Sequence, residues 1–114
     1  MAKVIMLVMD DPHTLLSIKS ALEIKNYVVL TATTQEECLD KLNGDKIDLI
    51  LIEALFPRNK IITKVGNSAN IRYLLTKNTL GVSEGLFSNV IAFSESPKGV
   101  KNFLKAVKRA TRKW

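Results

Sequence analysis

Several residue types are scarce in this chain of 114 residues, and each scarcity excludes a class of protein. The single cysteine, Cys38, rules out an internal disulfide and a cysteine-built zinc site. The single histidine, His13, argues against a metal site built on imidazoles. The apolar run from Val4 to Met9 is too short for the core of a signal peptide or for a membrane span. We therefore expect a cytoplasmic protein with no membrane partner.

Glycine-based catalytic and nucleotide-binding motifs are also missing. The five glycines form no G-x-x-x-x-G-K-[ST], no G-x-G-x-x-G and no G-x-S-x-G pattern. Serine, histidine and aspartate are all present, but nothing in their spacing indicates a catalytic triad. These absences leave nucleotide binding through a glycine loop and hydrolase chemistry without support, and we expect the chain not to be an enzyme.

What the chain does contain is an alternation of short apolar runs and helical stretches. With 46% apolar and 25% charged residues, its composition is that of a globular protein. The apolar runs predict five strands, at 4–9, 27–32, 47–52, 71–75 and 90–93. The spacing of apolar residues and the capping residues predict helices at 12–25, 34–44 and from Pro97 onward.

Two segments give a weaker signal. Within 58–70, Ile61, Ile62 and Val65 can share one helical face, but Gly66 and the polar residues after it end the pattern early. Within 78–89, two glycines disfavour a long helix. Strands that alternate with helices still predict one α/β domain over 1–114, a three-layer flavodoxin-like (βα)5 sandwich. The expected five-stranded parallel sheet has the order 2-1-3-4-5.

Positive charge is concentrated in the last predicted helix. The net charge is +6, yet residues 98–114 hold seven basic residues and no acidic one. Four of these cations lie opposite the helix's apolar stripe: Lys101, Lys105, Lys108 and Arg112. A cationic face of this kind is typical of binding to nucleic acid or to an acidic protein, or simply of a solvated surface. These alternatives stay open from composition alone.

Polar residues follow the predicted strands, where parallel α/β sheets bind their ligands. Asp10 and Asp11 follow the first strand, Glu53 the third, Thr76 the fourth, and Glu95 and Ser96 the fifth. Because the carboxyl ends of parallel strands meet at one edge of the sheet, we expect these residues to share a crevice.

Three stretches of the chain resemble the receiver domain of two-component response regulators. They are VMDDPHTLLSIKSALEIKNY, DLILIEALFP and SPKGVKNFLKAV, and the likeness runs without gaps from about Val4 to Pro57. A typical receiver holds Mg²⁺ on two acids after strand one, beside a phosphoacceptor aspartate at the end of strand three. A threonine or serine ends its strand four, and a lysine precedes a cis-proline after strand five.

The resemblance places Glu53 at the phosphoacceptor position and Thr76 at the hydroxyl position. Counting back from Tyr27, Met9 falls on the first acid and Asp10 on the second, with Asp11 beyond. A slide by one residue would place Asp10 and Asp11 on the pair, but it requires a gap in the first helix.

After the fifth strand, Ser96 stands where the family has its lysine, ahead of Pro97, and Phe93 stands at the family's switch aromatic. These departures remove a metal ligand and the cation that would neutralise a phosphorylated side chain. Glutamate is also one methylene longer than aspartate, which shifts its carboxylate for in-line attack and extends negative charge as a phosphorylated aspartate does.

The resemblance and its departures together predict a stand-alone, degenerate receiver, a pseudo-receiver that acts by protein–protein contact. The expected partner is another signalling protein: a histidine kinase, an output protein or a second copy bound through the last helix. We expect no resident cofactor. Three alternatives stay open: an active phosphoacceptor with an unusual acidic site, weak Mg²⁺ at Asp10 and Glu53, and nucleic-acid binding by the last helix.

Overall fold

The chain folds as a parallel sheet with helices on both faces. A computed structural model describes residues 2–44, 46–53, 56–57, 59–65, 71–76 and 90–112. Its strands are β1 (Val4–Val8), β2 (Val28–Ala32), β3 (Leu49–Glu53), β4 (Ile71–Thr76) and β5 (Val90–Phe93). Its described helices are α1 (Pro12–Ile24), α2 (Gln35–Gly44), α3 (Asn59–Val65) and α4 (Pro97–Thr111).

The five strands form one sheet in the order β2-β1-β3-β4-β5, with every neighbouring pair parallel. This confirms the predicted fold class and strand order. The register pairs Val8 with Ala32 and with Ile52, so the carboxyl ends of the central strands finish at one level. That edge is where ligand sites form in open α/β sheets, because the loops that follow the strands begin there.

The core explains why β1 is apolar at every position. Ile5, Leu7 and Met9 point to the face covered by α1 and α4, and Met6 and Val8 point to the face covered by α2 and α3. Successive strand residues point to opposite faces, so a central strand between two helical layers needs apolar side chains on both.

Local capping fixes where the helices begin. Asp11 caps α1, with its carboxylate accepting from the backbone N–H of His13, and Pro12 occupies the first helical turn. Thr34 Oγ1 accepts from the N–H of Glu37 at 3.1 Å, while the Glu37 carboxylate reaches back to the N–H of Thr33 rather than to that of Thr34. The capping pattern read from the sequence is therefore present, with its return bond shifted by one residue.

The structure adjusts several predicted boundaries. Strand β3 extends to Glu53, so this residue ends the strand instead of following it. The uncertain segment 58–70 contains the short helix α3, in which Ile61 is buried against the α2 side of the core. The prediction for 78–89 lies outside the described residues. No helix in the described part of the chain is long and apolar enough to cross a membrane.

Candidate functional site

The three residues at the end of β1 lie in different environments. Met9 is 1% exposed and packs in the core beneath α1 and α4, so its side chain is a buried thioether and not an exposed carboxylate. Asp10 is exposed at the carboxyl end of the strand. Asp11 is engaged by the first turn of α1, since its carboxylate also accepts from Thr14 Oγ1 at 2.5 Å. That bond is the largest cause holding the pKa of the Asp11 carboxyl below its usual value.

Strands β3 and β4 bring the next two candidates to the same edge. Glu53 is the partly buried last residue of β3 and pairs with Leu74 of β4. Its carbonyl accepts from the backbone N–H of Phe56 at 2.9 Å, which turns the chain directly after the strand. Thr76 ends β4 and pairs with Phe93 of β5. The backbone thus places both residues at the carboxyl edge of the sheet, as predicted, although each is the last residue of its strand and not the residue after it.

The turn from β5 into α4 uses Ser96 as a helix cap. Ser96 Oγ accepts from the N–H of Gly99 at 3.0 Å and lies 3.2 Å from Ser94 Oγ. Pro97 occupies the first helical turn. No peptide bond in the described residues is cis, so the cis-proline implied by the resemblance is not found. A proline at the first helical position suits an ordinary trans peptide, because α4 begins immediately after Ser96.

A polar cluster joins this turn to the start of α1. His13 Nε2 lies 3.2 Å from Glu95 Oε1, and Ser17 Oγ donates to the same oxygen at 3.3 Å. Glu95 therefore spans from the β5–α4 turn to the first two turns of α1. The sequence marked Glu95 only as a strand-end residue, because its partners lie 78 and 82 positions away and no local pattern links them.

Phe93 lies inside the core at the end of β5. It is 4% exposed and meets Phe103 of α4 edge to face, with ring centroids 5.1 Å apart and planes at 83°. This geometry is favourable for two aromatic rings and fixes α4 against the end of β5. The residue at the family's switch position is thus buried.

A small crevice of about 260 Å³ opens beside Asp10. Its described walls come from the start of α2 and from Phe56 and Pro57 after β3. At its rim, Glu36 pairs with Lys60 of α3 at 2.8 Å. The hydrogen bond from Lys60 lowers the pKa of the Glu36 carboxyl and, reciprocally, raises the pKa of the lysine.

The oxygen donors at this edge do not match the acid set of a typical receiver. Of the three residues at the end of β1, Met9 offers no side-chain oxygen, Asp11 is engaged as a cap, and only Asp10 is exposed and not a cap. Among the described residues, no group of three or more His, Cys, Asp or Glu side chains is placed to hold a metal ion. At the end of β1, one position therefore carries a carboxylate that is not engaged as a cap, where the resemblance expects a pair of acids.

The cations of α4 divide between two environments. All four residues of the predicted basic face are exposed: Lys101, Lys105, Lys108 and Arg112. Lys101, Lys105 and Lys108 line a groove of about 650 Å³. Lys25 and Tyr27, in the turn from α1 to β2, also line it. Arg112 is not among the described lining residues. The sequence did not indicate that Lys25 and Tyr27 line this groove, because their place in it depends on how α1 and α4 pack.

Comparison with known proteins gives a consistent answer at the level of fold. No protein-family model matches the chain, and no curated protein sequence matches it significantly. The chain is similar to the solved structure of a response regulator from Thermotoga maritima, at 20% identity and a TM-score of 0.73, over 98% of this chain and 99% of that one.

Two further structures are described as receivers. One is a response regulator receiver protein from Sinorhizobium medicae, at 19% identity and a TM-score of 0.73, covering 98% of this chain and 96% of the other. The other is a CheY-like receiver domain protein from Methanospirillum hungatei, at 22% identity and a TM-score of 0.70, covering 98% and 95%. The chain therefore has the receiver-domain fold, as the resemblance implied.

Proposed function

We propose that this chain, which has the fold of response regulator receiver domains, is a signal-transduction module that binds another signalling protein and is not switched by phosphoryl transfer. The observation that carries the proposal is Ser96, which caps α4 at the position where the resemblance expects a lysine. A helix cap cannot serve as the cation that would stabilise a phosphorylated side chain at this edge.

The surroundings of Ser96 support this reading. Its hydroxyl accepts the Gly99 N–H and faces the Ser94 hydroxyl, and the next side chain is the Glu95 carboxylate. A phosphoryl group brings close to two negative charges, and proteins hold it with charge-assisted hydrogen bonds or with a cation. The two hydroxyls carry no positive charge, and the Glu95 carboxylate would repel a negatively charged phosphoryl group.

The end of β1 supports the proposal independently. Met9 is packed in the core and Asp11 is held by Thr14, so this edge lacks the pair of acids that the family uses. Mg²⁺ requires near-octahedral oxygen coordination and gives up water reluctantly, so loss of an acid weakens its binding. We therefore assign the chain no resident Mg²⁺.

In the proposed module, Glu53 supplies a negative charge at the end of β3 that does not depend on phosphorylation. A glutamate at the end of β3 places a permanent negative charge further from the backbone than an aspartate would. Phe93, at the same edge, is already buried against Phe103. A permanent charge together with a packed aromatic residue fits a protein whose binding surface is always presented, with output controlled by the partner's availability.

The partner in this proposal is another signalling protein, either a kinase or an output protein, and the chain itself has no catalytic role. Its binding surface includes the three exposed lysines of α4 that line the groove, Lys101, Lys105 and Lys108. An active phosphoacceptor is the second candidate, and the exposure of Asp10 beside the crevice favours it. A carboxylate that is open to solvent can attack a small phosphodonor, whereas a capped one cannot.

Mg²⁺ titration followed by amide NMR tests the proposal. We expect Mg²⁺ to change the amide chemical shifts of Asp10 and Glu53 no more than it changes those of exposed acidic residues far from this edge, such as Glu23, at the same concentration. A saturable shift confined to Asp10 and Glu53, reversed by chelation, would overturn the assignment of no metal and favour the second candidate. Thr14→Val is the informative variant, because it removes the Thr14 hydroxyl from Asp11 Oδ2 and leaves the bond from the His13 N–H to Oδ1 in place. Mg²⁺ binding that appears only in this variant would mean that the Thr14 hydrogen bond removes a ligand.

A further inference from the structure

The groove between α4 and the turn from α1 to β2 combines an apolar floor with a cationic rim. The floor consists of three partly buried side chains that pack against the core, Tyr27, Val100 and Leu104. The rim consists of four exposed lysines, Lys25, Lys101, Lys105 and Lys108. No acidic residue is among the described lining residues. Within the described part of the chain, none of these lysines has an acidic partner within salt-bridge distance.

We infer that this groove is the docking site for an acidic, amphipathic segment of a partner protein. The inference rests on the proposed function and deepens it, because it names the surface and the kind of partner. Apolar side chains of the segment would cover the floor, and its carboxylates would pair with the lysine rim. A groove of about 650 Å³ is within the range of cavities that hold a few large side chains.

Helix spacing explains how α4 builds both parts of the groove. Val100, Leu104 and Lys108 follow one another at intervals of four residues, so they form one row along the helix. Lys101 and Lys105 form the adjacent row, further from the core. The helix therefore presents apolar side chains low in the groove and ammonium groups above them, and Lys25 adds a fourth cation from the end of α1.

Charge excludes a second copy as the favoured occupant. In a twofold interface the same patch meets itself, so a symmetric dimer through this groove would bring two sets of four lysines together. Like charges directly opposed across an interface are unfavourable. An acidic partner instead gains both charge pairing and faster association.

The apolar floor favours a protein over a nucleic acid. A nucleic-acid backbone offers phosphates at regular spacing but little apolar surface to cover Val100 and Leu104. Single-stranded bases would need aromatic platforms, and Tyr27 is the one aromatic residue among the described lining side chains. No arginine is among them either, although arginine is the residue best suited to phosphate. A peptide with acidic residues on one side and large apolar residues on the other matches both parts of the groove.

The experiment uses the full chain and a synthetic helical peptide in which glutamate and leucine recur at helical spacing. Amide NMR of the labelled protein locates binding, and fluorescence anisotropy of the labelled peptide measures it. Poly-glutamate of the same length and a DNA duplex serve as comparison probes. We expect the peptide to shift the amides of Tyr27, Val100 and Leu104, and to bind better than poly-glutamate does.

Matched variants of α4 separate the groove from overall charge. The groove variant is Lys101→Gln/Lys105→Gln/Lys108→Gln, and the control is Lys98→Gln/Arg109→Gln/Arg112→Gln on the rest of the same helix. Each removes three positive charges, so the net charge of +6 falls by the same amount in both. Because all six residues are exposed, both variants should fold. We expect the groove variant to lose about tenfold in peptide affinity and the control to lose about twofold or less.

Several results would overturn the inference. Equal losses in the two variants would mean that bulk charge alone binds the peptide. Poly-glutamate binding as tightly as the amphipathic peptide would show that the floor has no role. Tighter binding of DNA, with a steep dependence on salt, would favour a nucleic-acid partner. No peptide binding, or dimerisation through α4, would also contradict it. None of these results alters the Mg²⁺ or phosphorylation tests, so failure here is distinguishable from failure of the proposed function.

Discussion

Ser96 Oγ accepts a hydrogen bond from the backbone N–H of Gly99 at 3.0 Å, and this bond caps the first turn of α4, directly after the turn that follows β5. Ser96 has extended backbone geometry, with φ −66° and ψ 154°, as helix caps do. The same position would carry a lysine in a typical receiver. In this chain the position holds a helix cap, and substitutions at Ser96 measure what that cap contributes to stability.

Restoring the family residue should destabilise the protein. Ser96→Lys removes the side-chain acceptor for the Gly99 N–H, and loss of an N-cap costs about 1 kcal/mol of folding free energy. Ser96→Asn keeps an acceptor and is the control, with an expected change of less than half that cost. Urea denaturation followed by circular dichroism measures both. Equal stability of the lysine and asparagine variants would show that the cap contributes nothing.

Gly99 should be intolerant of a side chain. A Cβ added there would overlap Ser94 Oγ and lie 2.7 Å from the Ser94 carbonyl oxygen. We expect Gly99→Ala to lower the free energy of unfolding by about 1–3 kcal/mol, the usual cost of overpacking. Gly44→Ala is the matched control, because nothing lies within 4 Å of the added Cβ at the end of α2. The control should be neutral or slightly stabilising, since alanine favours helix. Similar losses in the two variants would refute the steric account.

Acid should destabilise the chain through its capping and paired carboxyls. The Thr14 hydroxyl is the main cause that lowers the pKa of Asp11, and Lys60 is the main cause that lowers the pKa of Glu36. A folded-state pKa below the unfolded value gives stability that is present above the unfolded pKa and is lost as the pH falls through the folded pKa. These contributions should therefore fade from about pH 4.5 downward, where the ordinary values of 3.8 and 4.5 lie.

NMR titration of the individual carboxyls checks this assignment. Thr14→Val should raise the pKa of Asp11 toward its ordinary value and leave that of Glu36 unchanged. Lys60→Met should do the reverse. Each variant is thus the control for the other. If both carboxyls moved in both variants, a general charge effect would replace the local hydrogen bonds as the cause.

Cys38 should behave as a core residue and not as a reactive thiol. It is fully buried between α2 and the sheet, and burial raises the pKa of its thiol to about 11. Because the thiolate is the reactive form, native protein at neutral pH should react with a disulfide reagent at least roughly a hundredfold more slowly than the unfolded chain. The urea-unfolded protein is the control. Equal rates in the two states would contradict the buried placement.

The fold was predictable because local signals agree with the packing. The continuous apolar run of β1 predicts a strand covered on both faces, and Asp11 followed by Pro12 predicts the start of α1. Both are found. The parallel order follows from alternation of strands and helices, together with the handedness of crossovers. These signals are short-range, so one sequence is enough to read them.

The candidate site was predictable only in part. Strand ends placed Asp10, Glu53 and Thr76 at one edge of the sheet, and the structure agrees. The engagement of Asp11 with Thr14, the cap at Ser96 and the contact of His13 with Glu95 depend on side-chain geometry. The groove depends on how α1 and α4 cross, so nothing near Lys25 or Tyr27 in the sequence could have indicated it.

The central claim is that this receiver fold is not switched by phosphoryl transfer, and intact-mass spectrometry tests it most directly. The protein is incubated with acetyl phosphate and Mg²⁺, beside a receiver domain that this reagent phosphorylates, and any adduct is mapped by peptide analysis. We predict no adduct on this chain, with the fold intact by circular dichroism. A stoichiometric phosphoryl adduct on Asp10, Asp11 or Glu53, abolished by the matching Asn or Gln variant, would contradict the account and make the chain a working phosphoacceptor.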